Sequence, residues 1–247
     1  SRDWSSDVCS SDLQFPLCIP LGDAAILFQF SRSIDLAVNA QIQQVAFALR
    51  QRQPTWVRDI VPALTGLAIH YDLSMVPQDI EPATALSTLM TECLARRLPN
   101  LDKLARTITV PVCYDPSFGL DLEAVAEQCK LSIAEVITRH CASAHRVLMV
   151  GFSPGHPYIG GLDARLSVPR LTTPRPIVQA GSVAIANTQS VVYPWTISGG
   201  WSILGRSPMR FFNPDNNPPT VFSPGDRVQF VAISRAEYEQ SLQTSHV

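Results

Sequence analysis

Gly151-Phe-Ser-Pro-Gly-His-Pro-Tyr-Ile-Gly-Gly161, Ala180-Gly-Ser-Val-Ala-Ile-Ala186 and Ser198-Gly-Gly-Trp-Ser-Ile-Leu-Gly-Arg206 carry glycine and proline at a density that describes fixed turns hung on short β-branched strands. Around them, Val147 to Phe152, Ile177 to Gln179, Ser182 to Ala186, Ser190 to Tyr193, Trp201 to Leu204 and Arg227 to Ile233 are strand candidates separated by Pro, Gly and Asn turns. Helical spacing is absent from Arg146 almost to the end, and this strand spacing predicts a β-barrel. Ser223-Pro-Gly-Asp226 is the turn into the last strand, and Ala236 to Gln243 reads as a closing helix.

The charge of the same stretch is lopsided. Ala164 to Pro214 contains no Asp, Glu or Lys, yet holds Arg165, Arg170, Arg175, Arg206 and Arg210, in a chain of formal net charge -2. A guanidinium presents a planar fork of donors that matches carboxylate or phosphate, so the cluster points to an anion site. The competing reading is that these arginines solvate a β surface.

Outward from that stretch the chain changes character. Residues 1–14 contain the near-copies Ser5-Ser-Asp-Val8 and Ser10-Ser-Asp-Leu13 without periodicity, and are expected to be a non-native or disordered leader. Ala24 to Phe30 reads as a strand. Asp35 then caps a helix with Val38, Ile42, Val45, Ala46 and Leu49 on one face. Trp56 to Val61 and Gly66 to Tyr71 follow as strands, Pro82 opens a helix through Leu94, and Thr107 to Val112 is the next strand. The order β-α-β-β-α-β predicts a ferredoxin-like half. The expected organisation is therefore α+β, with a ferredoxin-like domain over residues 15–106 and a barrel domain over residues 107–247 that also carries two helices. The first has Leu122, Val125, Ala126 and Cys129 on its apolar stripe; the second opens with Ser132 and Glu135 at capping-box spacing. His140 and His145 read as packed histidines near the end of that helix and the start of the next strand.

A length of 247 residues, 46% apolar residues and a mean hydropathy of +0.10 describe a globular chain with a proper core. No apolar run has the length of a membrane span, and a pI near 6.2 gives no reason to expect nucleic acid or an anionic membrane. The six cysteines form no Cys-x-x-Cys pair, which fits a reducing cytoplasm and argues against a cysteine-ligated metal.

Two motifs mislead. Gly151-Phe-Ser-Pro-Gly155 matches a hydrolase nucleophile elbow, but the residue after Ser153 is Pro154, which has no N–H to offer an oxyanion hole. The chain has no phosphate-binding Gly-x-x-x-x-Gly-Lys-Ser/Thr loop, and its only lysines are Lys103 and Lys130. His156, between two turns and beside Tyr158, has the chemistry of an acid or base, and equally that of a hydrogen-bonded turn residue. Trp195 and Trp201 read either as platforms for a ligand or as packing.

Several ordered motifs resemble one family. Gly151-Phe-x-Pro-Gly155, Tyr158-Ile-Gly-Gly-Leu-Asp163, Pro169-Arg170, Pro174-Arg175, Ala180-Gly-Ser-Val183, Tyr193-Pro194 and Gly199-Gly-Trp-x-Ile-x-Gly-Arg206 are similar to the 5-oxoprolinase B-subunit family. Leu21-Gly-Asp23 and Tyr114-Asp-x-x-x-Gly-Leu-Asp-Leu122 fit as well. That family also holds an inhibitor of a sporulation histidine kinase and the first half of allophanate-hydrolase-like carboxyltransferase units. The resemblance implies a cyclophilin-like barrel behind the ferredoxin-like part. It also implies an ATP-dependent opening of 5-oxoproline to glutamate, carried out with the A and C subunits of the same enzyme. ATP and Mg would bind in the complex, and the chain would be inactive alone. The alternatives are a kinase-inhibiting binding protein and one component of a biotin-dependent amide carboxyltransferase. The expected substrate- or phosphate-binding residues are Arg170, Arg175, Gly199, Gly200, Trp201, Arg206 and Tyr158. His156 and Arg206 are the catalytic candidates, and no metal ligand is expected.

Overall fold

The computed structural model describes residues 16–244, so the expected leader over 1–14 lies outside the described residues. Contacts divide the chain into two compact units, with the division between Pro99 and Asn100.

In the first unit, β1 (Leu17–Pro20), β2 (Ala25–Gln29), β3 (Val57–Pro62) and β4 (Gly66–Tyr71) form one antiparallel sheet in the order β1-β2-β4-β3. Helices α1 (Leu36–Arg50) and α2 (Pro82–Leu94) bury Ile42, Val45, Leu49, Leu86 and Met90 against Ile26, Phe28, Leu67 and Ile69. Asp35 caps α1 by accepting from the Ala37 and Val38 N–H groups, which would otherwise be unsatisfied. Pro82 occupies the first turn of α2, where its missing N–H costs nothing. Asn39, on the buried face of α1, donates to the carbonyls of Ala63 and Leu64 in the β3–β4 turn, so its burial is hydrogen-bonded.

The strand expected to follow α2 in this sheet goes elsewhere. The sheet position beside β2 is filled by β1, whose four residues between Pro16 and Leu21 are too short for a periodicity signal. Strand β5 (Thr107–Cys113) instead runs parallel to a strand at the far end of the chain, β13 (Arg227–Ile233), over its whole length. Its Val110 and Val112 are buried in the core of the second unit.

That unit is a closed seven-stranded barrel. Its other strands are β6 (His145–Val150), β7 (Pro157–Gly160), β9 (Ser182–Ala186), β10 (Gln189–Val192) and β12 (Ser202–Arg206), in the order β10-β7-β6-β13-β5-β12-β9, and β9 pairs β10 to close it. Closure leaves no free edge. A separate ribbon pairs β8 (Arg175–Val178) with β11 (Ile197–Gly199). Val147, Ile159, Val183, Ile185, Leu204 and Phe230 fill the core. Helix α3 (Leu122–Cys129) and helix α4 (Ile133–Ala142) pack against this unit, and α5 (Arg235–Thr244) closes the described chain. The capping box of α4 is formed: the Glu135 carboxylate accepts from the Ser132 N–H at 2.8 Å, and the Ser132 hydroxyl accepts from the Glu135 N–H at 3.2 Å.

Candidate functional site

Three glycine- and proline-rich segments of the second unit meet in one cleft. Phe152, His156 and Tyr158 come from the turn before β7 and from β7 itself, Arg170, Leu171 and Pro174 from the loop before β8, and Tyr193 and Ser198 to Trp201 from the segment joining β10, β11 and β12. The volume is about 200 Å³. This is the space of a small metabolite.

Backbone hydrogen bonds hold the walls. The Gly151 N–H donates to the His156 carbonyl at 3.0 Å and the His156 N–H to the Ser153 carbonyl at 3.1 Å, closing a tight turn. Within that turn Phe152, a residue 68% exposed, sits at φ +73°, a left-handed conformation that non-glycine residues rarely adopt. The Trp195 indole N–H donates to the Pro154 carbonyl at 2.9 Å, and the Leu171 N–H to the Gly200 carbonyl at 2.8 Å, which ties the Arg170 loop to the floor. Gly199 is there for Tyr193: a Cβ at 199 would lie 2.3 Å from the Tyr193 hydroxyl. At Gly200 the added carbon would meet Pro174 at an ordinary 3.5 Å, so sterics alone do not demand glycine.

The cleft carries one full charge. The Arg170 guanidinium lies 5.4 Å from the centre of the Trp201 ring, a cation–π contact, and none of the ion pairs among the described residues involves it. The Tyr158 and Trp201 rings meet edge-on at 6.1 Å, and His156 lies 5.2 Å from Tyr158 and 5.3 Å from Tyr193. Burial pushes His156 down to about 4, and its Nδ1 has no hydrogen-bond partner. Burial pushes Tyr193 up to about 12, reinforced by Tyr158 and opposed by Arg170. Tyr158 is raised by burial against the opposing charge of Arg170. At neutral pH the cleft therefore holds a neutral imidazole, two protonated phenols and a guanidinium, with no carboxylate in its lining. Such a set can bind a small anion and orient it by hydrogen bonds.

Of the residues singled out from sequence, the fold brings together Arg170, His156, Tyr158, Gly199, Gly200 and Trp201. Arg175 and Arg206 do not line this cleft. Arg175 is held by Asp121 at 2.6 Å. Arg206 donates through Nε to the Ala180 carbonyl at 2.9 Å, and its guanidinium lies 5.9 Å from the centre of the Phe118 ring. One guanidinium, not a converging set, faces the cavity. For Arg175 the reason is Asp121, which stands at the N-cap of α3 without capping it and spends its carboxylate on Arg175 and on the Ile203 N–H at 2.7 Å. Sequence reasoning does not single out Asp121 or Tyr193 as site residues, although both fall inside quoted motifs. A wider groove of about 590 Å³ runs beside α4, but its one guanidinium, Arg139, is already bound to Asp163 at 2.9 Å. The smaller cleft is the better candidate because its charge is unspent. Among the described residues no three of His, Cys, Asp and Glu gather as metal ligands, and no helix is long and apolar enough to cross a membrane.

Comparison with known proteins agrees with the motifs. The 5-oxoprolinase B subunit of Bacillus subtilis is 37% identical over 231 residues, which cover 92% of this chain and 96% of that protein. The crystal structure of TTHA0988 superposes with a TM-score of 0.72 at 31% identity; the match covers 85% of this chain and 40% of that longer one. The urea carboxylase of Kluyveromyces lactis, at 17% identity and a TM-score of 0.73, shares the fold over 92% of this chain and 22% of its own. The model of the carboxyltransferase domain, subdomains C and D, matches residues 16–222, and the chain belongs to that family.

Proposed function

We propose that this chain is the B subunit of an ATP-dependent 5-oxoprolinase, opening 5-oxoproline to glutamate together with the A and C subunits of that enzyme and inactive without them. The observation that carries the reading is the 37% identity to a protein of that name over nearly the whole of both chains. The cleft supports it on chemical grounds. 5-Oxoproline is a small, flat carboxylate, Arg170 is an unpaired guanidinium beside an indole face, and a volume of about 200 Å³ suits a ligand of that size. Arg170, Tyr158, His156, Gly199, Gly200 and Trp201 are the proposed substrate-binding set. In this reading Arg175 and Arg206 hold the walls in place.

In this reading the cleft, of about 200 Å³, is left to the lactam, and ATP with its Mg binds elsewhere in the assembly as a co-substrate. The contribution of this chain is to hold the lactam by its carboxylate, screen it from water behind Phe152 and Tyr158, and present its ring in one orientation. The barrel is read as cyclophilin-like, and the first unit as ferredoxin-like with β1 in place of a last strand. Its compartment is read as cytoplasmic. No observation favours the kinase-inhibitor or biotin-dependent readings.

The test is reconstitution. The three subunits with 5-oxoproline and ATP should release glutamate and phosphate in equal amounts, and omitting this chain should abolish both. Full turnover without this chain would end the proposal.

A further inference from the structure

Asp35 and Ser132 cap α1 and α4 through their side chains, whereas Asp121 stands at the N-cap of α3 and makes no capping hydrogen bond. Its carboxylate is 11% exposed. One oxygen accepts from the Arg175 guanidinium at 2.6 Å and the other from the Ile203 N–H at 2.7 Å, while the Asp121 N–H donates to the Ile203 carbonyl at 3.0 Å. The two bonds to Ile203 fix the carboxylate against β12 and hold it on Arg175.

Arg175 is close to the cleft without lining it. The residue before it, Pro174, belongs to the lining, and so does Gly199, its partner across the β8–β11 ribbon. Burial raises Tyr193 in the cleft wall, and Arg175 is among the groups that oppose that rise, so its charge is felt there. Left alone, this guanidinium would add a second positive charge to the one that Arg170 brings. Asp121 cancels it, and Arg170 remains the net charge of the cleft. A mostly buried ion pair is weak evidence of stabilisation, because desolvation offsets much of the Coulomb gain. Here the pair has another use.

We propose that Asp121 is a specificity-determining residue: by neutralising Arg175 beside the cleft it sets the net charge there at one, so that the site takes small monocarboxylates and turns away dianions of the same size. A second carboxylate brought into such a cleft loses its hydration and finds no cation. The proposal deepens the 5-oxoprolinase reading and rests on it for the identity of the monocarboxylate. In that reading ring opening turns a ligand with one carboxylate into one with two, and the second has nothing to hold it.

The experiment uses the scaling of Coulomb energy with ligand charge: a change in the charge of the cleft acts on a dianion by the square of the factor it applies to a monoanion. The probes are 5-oxoproline and glutarate, a five-carbon dicarboxylate of nearly the same size. Dissociation constants are measured on the full chain by calorimetry at neutral pH, alone and within the reconstituted complex, for the natural sequence, Asp121→Asn, Arg175→Gln and the double variant. Asn keeps an oxygen to accept from the Ile203 N–H, and Gln keeps a donor toward residue 121. The natural chain should bind 5-oxoproline about tenfold or more tighter than glutarate. Asp121→Asn leaves Arg175 uncompensated and should tighten 5-oxoproline about threefold and glutarate about tenfold. Arg175→Gln leaves Asp121 uncompensated and should weaken both, glutarate more; it gives the same comparison with opposite sign if Asp121→Asn does not fold. The double variant removes the pair and should return the ratio of the two constants to within about twofold of the natural value. All these shifts should shrink as salt is raised. Loss of structure does not produce this pattern, since it weakens both ligands together and a second substitution adds to the damage of the first.

A ratio unmoved by Asp121→Asn and Arg175→Gln, a double variant that stays shifted, or no binding of either ligand in both preparations overturns the proposal. The two readings fail separately. A complex that never opens 5-oxoproline, while the ratio follows the charges at 121 and 175, removes the oxoprolinase assignment and leaves this one standing. Turnover with a ratio indifferent to both residues does the reverse.

Discussion

His140 and His156 are both buried imidazoles of the barrel unit, and they differ in what surrounds their nitrogens. His140 is fully enclosed: Nδ1 pairs with the Tyr114 hydroxyl at 2.8 Å, Nε2 lies 3.3 Å from the Ser190 hydroxyl, and the ring stacks on Phe230 at 4.4 Å. His145 beside it points Nε2 at the His140 carbonyl, 2.8 Å away. His156 has rings around it and is part of the cleft lining, and its Nδ1 is buried without a partner. The same side chain at nearly the same depth is hydrogen-bonded through both nitrogens in one place and lines a cleft in the other.

The sharpest way to break this contrast is to delete each ring in turn. His140→Ala opens a cavity in the barrel and strands the Tyr114 and Ser190 hydroxyls, and is expected to cost about 4 kcal/mol of stability. His156→Phe removes a partnerless polar atom and keeps the ring volume, and should shift stability by less than about 1 kcal/mol. Urea unfolding midpoints of the two variants decide it. Equal losses would mean that His156 is as structural as His140.

Acid sharpens the same comparison. His140, His145 and His156 are all held below the ordinary imidazole value, chiefly by burial. Above about pH 6.5 both folded and unfolded chains keep these rings neutral, and their full contribution to stability is present. As the pH falls below that, the unfolded chain takes up protons that the folded chain refuses, and stability declines. For His156, from 6.5 to about 4 at roughly 1.4 kcal/mol per unit, the loss is about 3 kcal/mol, complete near pH 4. Asp72, held at about 2 by Ser74 and then Arg58, loses its contribution only below that window. His156→Phe should flatten the decline between pH 6.5 and 4 by about that amount, as read from unfolding midpoints at each pH. An unchanged slope would show that the ring is solvated after all.

What could be read from sequence divides along the same line of local against distant partners. The Ser132–Glu135 capping box, the Asp35 cap and the strand Ser182–Ala186 were legible because their causes lie within a few residues. The destination of Thr107–Cys113 was not, since it pairs with Arg227–Ile233 at the far end of the chain. Nor was the fate of Arg175, whose partner Asp121 stands 54 residues earlier. An acid-free run of arginines states how much positive charge is available locally. It does not state which guanidinium a carboxylate from another segment will claim.

The floor of the cleft offers a smaller contrast between adjacent glycines. Gly199→Ala drives a methyl to 2.3 Å from the Tyr193 hydroxyl and should cost about 2 kcal/mol by overpacking, whereas Gly200→Ala meets Pro174 at 3.5 Å and should cost less than about 0.5 kcal/mol. Thermal unfolding of the pair checks the ordering. A neutral Gly199→Ala would mean that Tyr193 moves freely, and the wall it forms would not be fixed.

The smallest effect tests the charges. Arg170 has no carboxylate partner and faces the cavity; Arg206 donates to the Ala180 carbonyl and lies over Phe118. If an unspent guanidinium is what binds substrate, Arg170→Ala should raise KM for 5-oxoproline in the reconstituted complex about tenfold, about 1.4 kcal/mol, while Arg206→Ala changes it by less than about threefold. Arg170→Lys should recover only part of the loss, because an ammonium keeps the charge but not the two-pronged fit to a carboxylate. A larger effect at Arg206 than at Arg170 would move the anion out of this cleft to the Phe118 side of the barrel.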